Sequence, residues 1–534
     1  MESISPSEFQ FKLDISSNLN SGPSSDSFPL SVFPPSSQTP PILKHEPVVL
    51  EKSLIENRTK PIITESNVLQ TPISLAHLDP EQRLLSYEAS YDQNPTIEHE
   101  TKNAPLFTAD AFETLSAKCP QRAVLGSILS QHASGFPKVT NNPKLYINVN
   151  TPFSCVICGV QGSGKSHTAS VLLEGCLLAN QSIGTLPKPL AGLCLHYDTQ
   201  AAALPCEAAY LSMPSAESLK LGESKKARVP VTVLVAPTSI NTMKAVYKQL
   251  PNVKVEAFHL SSQILNSRRM LSLMGCDETG RMPLYLQRAL TILREMGVDN
   301  FSYKGFKQRM EDEDMSTDQR GPFSMRIGML DSYLTGRSGT SVQEHYKAGR
   351  LVIVDLRDPF INTSMASALF EIIVELFLEK SISSGKVLLL DEAHKYLSEA
   401  HGLSKFTASI TSLIRQQRHF GIRTLISTQE PTIIPHTILE LASILIIHRF
   451  NSPTWSLHLS RHICTSDEKG EEDEWKNRIT QLRVGEAMVV APSGLGIREL
   501  KDLKKSVVPF SNGFIIIRTR RRLTLDGGQS LTAC

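Results

Sequence analysis

Aromatic side chains are scarce in this chain of 534 residues, 6% of the total with two tryptophans, and they form no stacking pattern of the kind that holds unpaired bases. An excess of either charge is missing too: 55 Lys and Arg stand against 53 Asp and Glu, a formal net charge of +2. That balance excludes a globally basic, histone-like protein or an acidic chaperone, and it confines any nucleic-acid surface to a patch. No apolar run approaches the roughly 18–20 residues needed to span a bilayer, and the first thirty residues lack a basic segment followed by an apolar one. The nine cysteines, an odd number spread from Cys119 to Cys534, do not make the disulfide framework of a stapled fold. The expectation is a soluble protein of a reducing compartment, nuclear or cytoplasmic, with no membrane span. Repeats of fixed period, zinc-finger spacing and a helix-turn-helix signature are absent as well.

What is present is unevenly distributed. The first 50 residues hold 12 Ser and 8 Pro, too little apolar surface to offset the ordering of a backbone. Residues 1–103 therefore read as disordered. They are either an inert tail or a partner-docking segment with modifiable Ser5-Pro6 and Thr71-Pro72 sites.

Beyond a lead-in at 104–144, short apolar runs alternate with amphipathic stretches. The runs Phe153–Cys158, Leu193–Tyr197, Val231–Val235, Leu351–Leu356, Val387–Leu390, Arg423–Ser427, Ile444–Ile447 and Ala487–Val490 are rich in Val, Ile and Leu, and several lack polar alternation. That is the pattern of strands buried on both faces of a mostly parallel sheet. Ser364–Lys380 is the clearest helix, with Leu369, Ile372, Ile373, Leu376 and Phe377 on one side and Glu371, Glu375 and Glu379 on the other. The fold class is α/β with crossover helices.

The most specific signal runs from Gly159 through Val160, Gln161, Gly162, Ser163 and Gly164 to Lys165 and Ser166, with His167 opening the next helix. It satisfies the P-loop pattern between an apolar strand and a helical stretch. Glycines let backbone N–H groups curl around phosphate oxygens, and the helix N-terminus adds unpaired donors and partial positive charge. Lys165 is expected to reach the β- and γ-phosphates of ATP, and the Ser166 hydroxyl to ligate Mg²⁺. The Cys155 and Cys158 pair has no second pair to complete a metal site. On a strand the two thiols point to opposite faces, and they read as buried and inert.

A second apolar strand ends in Asp391-Glu392, the Walker B arrangement. Asp391 is expected to hold Mg²⁺, and Glu392 to orient and deprotonate the attacking water. The letters Asp391-Glu392-Ala393-His394 also invite a DEAH-box helicase reading. That reading requires a second RecA-like domain with an arginine-rich motif, which the sequence does not contain.

Downstream lie Arg415, Arg418 and Gly421, then a strand leading to Gln429 and Pro431, then Ile444–Ile447 with His448, Arg449 and Phe450. Gly349–Leu356 lies upstream and Leu482–Ala487 later. This ordered set, across about residues 145–500, resembles the HerA/FtsK superfamily of RecA-like ring ATPases. The resemblance implies a RecA-like P-loop fold, placed over residues 145–525 with a tail at 526–534; the long stretch between Lys165 and Asp391 departs from the family pattern, and its helical patterns read as an inserted subdomain around 260–345. It implies that Gln429 contacts the γ-phosphate or attacking water, and that Arg418 is a trans arginine finger with Arg415 in reserve. It further implies an ATP- and Mg²⁺-dependent homo-oligomer, hexameric by analogy, that moves DNA. The residues offer Lys225, Lys226, Arg228, the Lys304–Arg309 stretch and the Arg518–Arg522 cluster as phosphate contacts. The acidic runs Glu311–Asp314 and Glu471–Glu474 and the near-zero net charge leave open an ATP-dependent scaffold or switch acting on a protein partner.

Overall fold

Apolar runs without polar alternation are satisfied only when both faces are covered, and all eight of those runs become strands. The computed structural model describes residues 102–528, apart from 116–118, 134–135, 201–203, 223–225, 275–283, 298–299, 335–341, 398–404, 464–470 and 500–504. The region expected to be disordered thus lies almost wholly outside the described residues, as do Lys225 and the end of the tail. The described residues belong to one unit, Leu84–Cys534.

In chain order the strands are β1 Leu106–Thr108, β2 Arg122–Ala133, β3 Lys144–Asn148, β4 Ser154–Cys158, β5 Gly184–Thr185, β6 Ala191–His196, β7 Val231–Val235 and β8 Val253–Ala257. They continue with β9 Leu351–Asp355, β10 Lys386–Leu390, β11 Ile422–Thr428, β12 Ile444–Ile447, β13 Glu486–Val490, β14 Leu495–Glu499, β15 Lys505–Pro509 and β16 Gly513–Thr519. One sheet joins them in the order β15-β14-β1-β3-β2-β16-β13-β12-β4-β11-β10-β6-β9-β7-β8, with β5 beside β2. From β12 to β8 every neighbouring pair is parallel. From β12 through β13, β16, β2, β3 and β1 the pairs are antiparallel.

Parallel alignment brings the C-terminal ends of β4, β6, β10, β11 and β12 to one edge, where ligands of open α/β sheets bind. The strand β11 lies between the P-loop strand β4 and the Walker B strand β10. This order sets Gln429 between the two motifs.

Helices cover both faces. The helix Lys165–Leu177 packs Leu172, Leu173 and Cys176 into one core with Cys155 and Ile157. The helix Thr363–Glu379 packs Leu369, Ile373 and Phe377 into the other core with Val156 and Cys158. The two thiols therefore do face opposite ways, and burial raises both, Cys158 to about 12.

The acidic side of Thr363–Glu379 is not a solvated face. Glu371 is buried, while Glu375 and Glu379 both bind Arg269 from the helix Ser267–Leu273, the Glu375 contact at 3.0 Å. That helix begins the insertion between β8 and β9, followed by Leu284–Met296, Tyr303–Asp312, Thr317–Tyr333 and Val342–His345. Their buried residues, among them Met270, Phe306 and Ile327, are continuous with the core that holds Val354 and Leu388. No helix among the described residues is long and apolar enough to cross a membrane.

The Arg518–Arg522 cluster departs most from expectation. It is not a free basic tail, because the chain leaving β16 turns inward over the P-loop helix. Arg520 Nη1 donates to Glu174 Oε2 at 2.7 Å, and the Glu174 side chain is fully buried. Arg522 donates to Glu207 at 2.5 Å, and Arg518 to Glu486 at 2.7 Å. Arg518 and Arg521 stay exposed, Arg521 the more so and loosely paired with Glu217 at 3.4 Å. Glu174 also accepts from the backbone N–H and hydroxyl of Thr524, at 2.8 and 2.6 Å.

Removing one partner of such a buried pair leaves an uncompensated charge, at a cost of about 3–5 kcal/mol. Arg520→Ala is expected to lower the urea midpoint accordingly. Arg521→Ala should stay within about 0.5 kcal/mol of the parent.

Candidate nucleotide site

The phosphate loop leaves β4 at Cys158 and enters its helix at Lys165. Three of its glycines have positive φ: Gly159 at 151°, Gly162 at 73° and Gly164 at 110°. The curl closes on the Val160 carbonyl, which accepts from Ser163 N at 3.3 Å, Ser163 Oγ at 2.7 Å and Lys165 Nζ at 2.9 Å. Burial lowers the Lys165 pKa, opposed chiefly by the negative charge of Glu392. Gln161 and Gly162 are exposed at the tip.

Neighbouring strands hold the loop from outside. Val160 N donates to Arg449 O at 3.2 Å, and Gly485 N donates to Ser163 O at 3.3 Å. The Leu482–Ala487 turn of the family resemblance thus braces the loop directly. Beneath lies His448, whose Nδ1 is 3.0 Å from Glu486 O and whose Nε2 is 3.0 Å from Thr168 Oγ1. A carbonyl only accepts, so Nδ1 carries the proton and Nε2 receives the Thr168 hydroxyl. Burial pushes the His448 pKa down to about 4 and keeps the ring neutral.

The side chain of His167 is occupied by the C-terminal segment: Nδ1 lies 2.8 Å from Asp526 Oδ2 and Nε2 lies 2.9 Å from Arg520 O. The His167 bond holds the Asp526 carboxyl down at about 2. His167 can therefore serve a nucleotide through its backbone N–H at the helix start.

At the end of β10, Glu392 has a left-handed φ of 51°, a conformation that costs a non-glycine residue about 1–2 kcal/mol. Gln429 Nε2 donates to Glu392 Oε1 at 2.7 Å. Glu392 Oε2 is buried with no hydrogen-bond partner among the described residues, and His394 Nδ1 lies 3.5 Å away. His394 is therefore a close neighbour of the acid. Asp391 lies 3.0 Å from His196 Nδ1. Burial alone would raise the Asp391 carboxyl, but the hydrogen bond and charge of His196 hold it below the ordinary range, so it stays ionised.

These donors fit Mg²⁺. An ionised carboxylate stands at Asp391, and the half-buried Ser166 hydroxyl makes no hydrogen bond among the described residues. Lys165, Ser166, Asp391, Glu392 and Gln429 thus belong to one edge of the sheet. Arg418 does not. It is exposed on the helix Gln417–Phe420, before β11 begins, whereas Gln429 follows the end of that strand. Seven strand residues put the two ends roughly 20 Å apart. Arg415 is exposed on the same side.

Sequence reasoning missed His196, Asp526 and the supporting role of His448. His196 had a legible signal, a polar residue at the end of an apolar run. Asp526 had none, because its partner is 359 positions away.

The loop glycines are not equivalent. A Cβ at Gly159 would lie 2.7 Å from His448 Cβ and 2.9 Å from Ser163 Oγ, whereas one at Gly162 meets nothing within 4 Å. Gly162→Ala should cost only its left-handed strain of about 1–2 kcal/mol, about five- to thirtyfold in affinity. Gly159→Ala should weaken ATP binding further, as read by titration with a fluorescent nucleotide.

No family model and no curated protein matches the sequence. Among solved structures, VirB4 of Thermoanaerobacter pseudethanolicus overlaps 75% of this chain and 96% of its own, at 10% identity and a TM-score of 0.44. The plasmid coupling protein TrwB, in complex with ADP and Mg²⁺, overlaps 76% and 97% at 13% identity and a TM-score of 0.37. The packaging ATPase B204 of Sulfolobus turreted icosahedral virus overlaps 52% and 96% at 12% identity and a TM-score of 0.22. At such values the assignment stands on this chain's own strand order and motif positions. By those criteria the chain has an α/β fold with a P-loop between β4 and the helix Lys165–Leu177 and an acidic pair at the end of the parallel strand β10.

Proposed function

We propose that the chain is an ATP-hydrolysing motor that works as a homo-oligomeric ring and translocates DNA. The observation that carries the hydrolytic part is the Glu392 carboxylate. One oxygen is fixed by Gln429 at 2.7 Å, and the other is buried and unpartnered among the described residues. Such an oxygen suits a water proton, and Gln429 has a donor near the site of attack. Lys165 and the loop N–H groups would bind the phosphates. Ser166 and Asp391 would hold Mg²⁺, which would neutralise phosphate charge. The oligomeric part rests on Arg418, exposed at the end of β11 away from its own loop. From there its guanidinium lies too far from its own phosphate loop to reach it, which supports a role at a neighbouring subunit's nucleotide.

A specific observation favours the second reading, a nucleotide-dependent scaffold or switch on a protein partner. Several basic residues that would face DNA are already paired. Lys307 binds Asp331 at 2.7 Å, and Arg520 and Arg522 are buried against Glu174 and Glu207.

Lys165→Ala should abolish ATP binding. Glu392→Gln should keep binding and lose turnover by about 10²–10⁴-fold. Arg418→Ala should bind nucleotide and lose turnover by about 10³–10⁵-fold. Mixing it with Lys165→Ala subunits, whose fingers are intact, should restore part of the activity. An Arg418→Ala protein that hydrolyses ATP like the parent would remove the trans-finger assignment. ATPase stimulation by duplex DNA that falls with salt supports the motor; no response in any oligomeric state leaves the scaffold.

A further inference from the structure

Outside the nucleotide site, three histidines converge where the chain leaves the Gln429 strand. His436 opens the helix His436–Leu441, seven positions after Gln429. His458 lies on the helix Pro453–Ser460, and His462 follows one turn later at the i+4 spacing that aligns side chains. One nitrogen from each ring lies within 4.8 Å of the others. The His436 Nδ1 to His462 Nε2 distance is 3.2 Å. Two imidazoles on one tetrahedral zinc, with Zn–N bonds of about 2.0–2.1 Å, have nitrogens about 3.3 Å apart.

The third ring supplies an independent observation. His458 Nε2 is buried and has no hydrogen-bond partner among the described residues. The helix that carries it packs against the Pro431–Ile433 turn, and a buried ring nitrogen with no hydrogen bond is what a neutral imidazole offers to a metal ion. In a purely structural cluster the bare nitrogen is an uncompensated cost of about 1–3 kcal/mol; a cation removes it. The Glu440 carboxylate also acts on His462, against the positive charge of Arg461.

We propose that His436, His458 and His462 form a binding site for a divalent cation of the zinc class, with a coordination position left for water. Three neutral imidazoles suit zinc and its neighbours in the first transition row far better than Mg²⁺ or Ca²⁺, which take oxygen ligands. The cation would tie the helix Pro453–Ser460 and His462 beyond it to the start of the helix His436–Leu441, seven residues after Gln429. The site is separate from the phosphate loop, and the proposal does not depend on the motor reading.

The test uses the full chain without nucleotide, stripped of metal by EDTA and dialysed, then titrated with Zn²⁺ by calorimetry and with Co²⁺ by visible absorption. The expected result is one equivalent per chain, with the intense visible bands of four-coordinate Co²⁺. The His458→Ala/His462→Ala double variant should lose that equivalent, while alanine at the exposed His419 should leave it unchanged. His436→Ala, at a half-buried helix start, should weaken binding at least tenfold and keep the parent's circular dichroism. It decides the matter if the double variant fails to fold. No bound equivalent in the parent overturns the proposal. So does an equivalent that survives in the double variant or binds His436→Ala as tightly, since the metal would then sit elsewhere, for example at the His196, Cys206 and Asp391 group.

Discussion

The site depends on a backbone curl that excludes side chains. The phosphate loop presents its N–H groups only while Gly159, Gly162 and Gly164 hold positive φ, and at Gly159 the space for a Cβ is filled by His448. The curl cannot hold itself, because its own bonds all converge on one carbonyl, that of Val160. It is held from outside by Arg449, Gly485 and the neutral His448 ring, which belong to segments nearly three hundred residues downstream or more. Formation of the loop and completion of the sheet are therefore one event, and β12, β13 and β16 are structural parts of the nucleotide site.

The catalytic edge follows the same logic. A left-handed glutamate at the end of a buried strand is a strained choice. It is retained where Gln429 meets the Glu392 carboxylate from the adjacent strand. The neighbouring Asp391 is treated differently, with His196 holding it ionised. Two adjacent acids on one strand end are thus given separate environments, one paired with a base and one with an amide and a bare oxygen. That separation suits one acid to a cation and the other to a water molecule.

The near-zero net charge also takes on a more local meaning. Basic residues that look like a nucleic-acid surface in the sequence serve as internal fasteners. Lys307 is paired with Asp331, and Arg520 and Arg522 clamp the final segment over the P-loop helix; Arg269, which carried no such expectation, fastens the insertion to Glu375 and Glu379 in the same way. The final segment reaches His167, one residue past Ser166, through Asp526.

By itself the sequence determined what depends on local spacing. The eight apolar runs, the helix after the P-loop and the helix after Asn362 all fall within two or three residues of their expected bounds, because doubly buried strands and amphipathic helices carry their period in the chain. The placement of Lys165 and Ser166 at a helix start and of Asp391 and Glu392 at a strand end was legible for the same reason: motif and context are contiguous. Long β2 and short β1 and β3 were not, since their half-exposed, polar-interrupted patterns resemble loops until partners cover one face. Tertiary structure alone decided that Arg520 is buried rather than solvated, that Asp526 reaches His167, and that three histidines meet. Each of these depends on which distant carboxylate, carbonyl or ring arrives at a given point. A +2 chain with equal numbers of acids and bases contains no record of those pairings; the sheet order creates them.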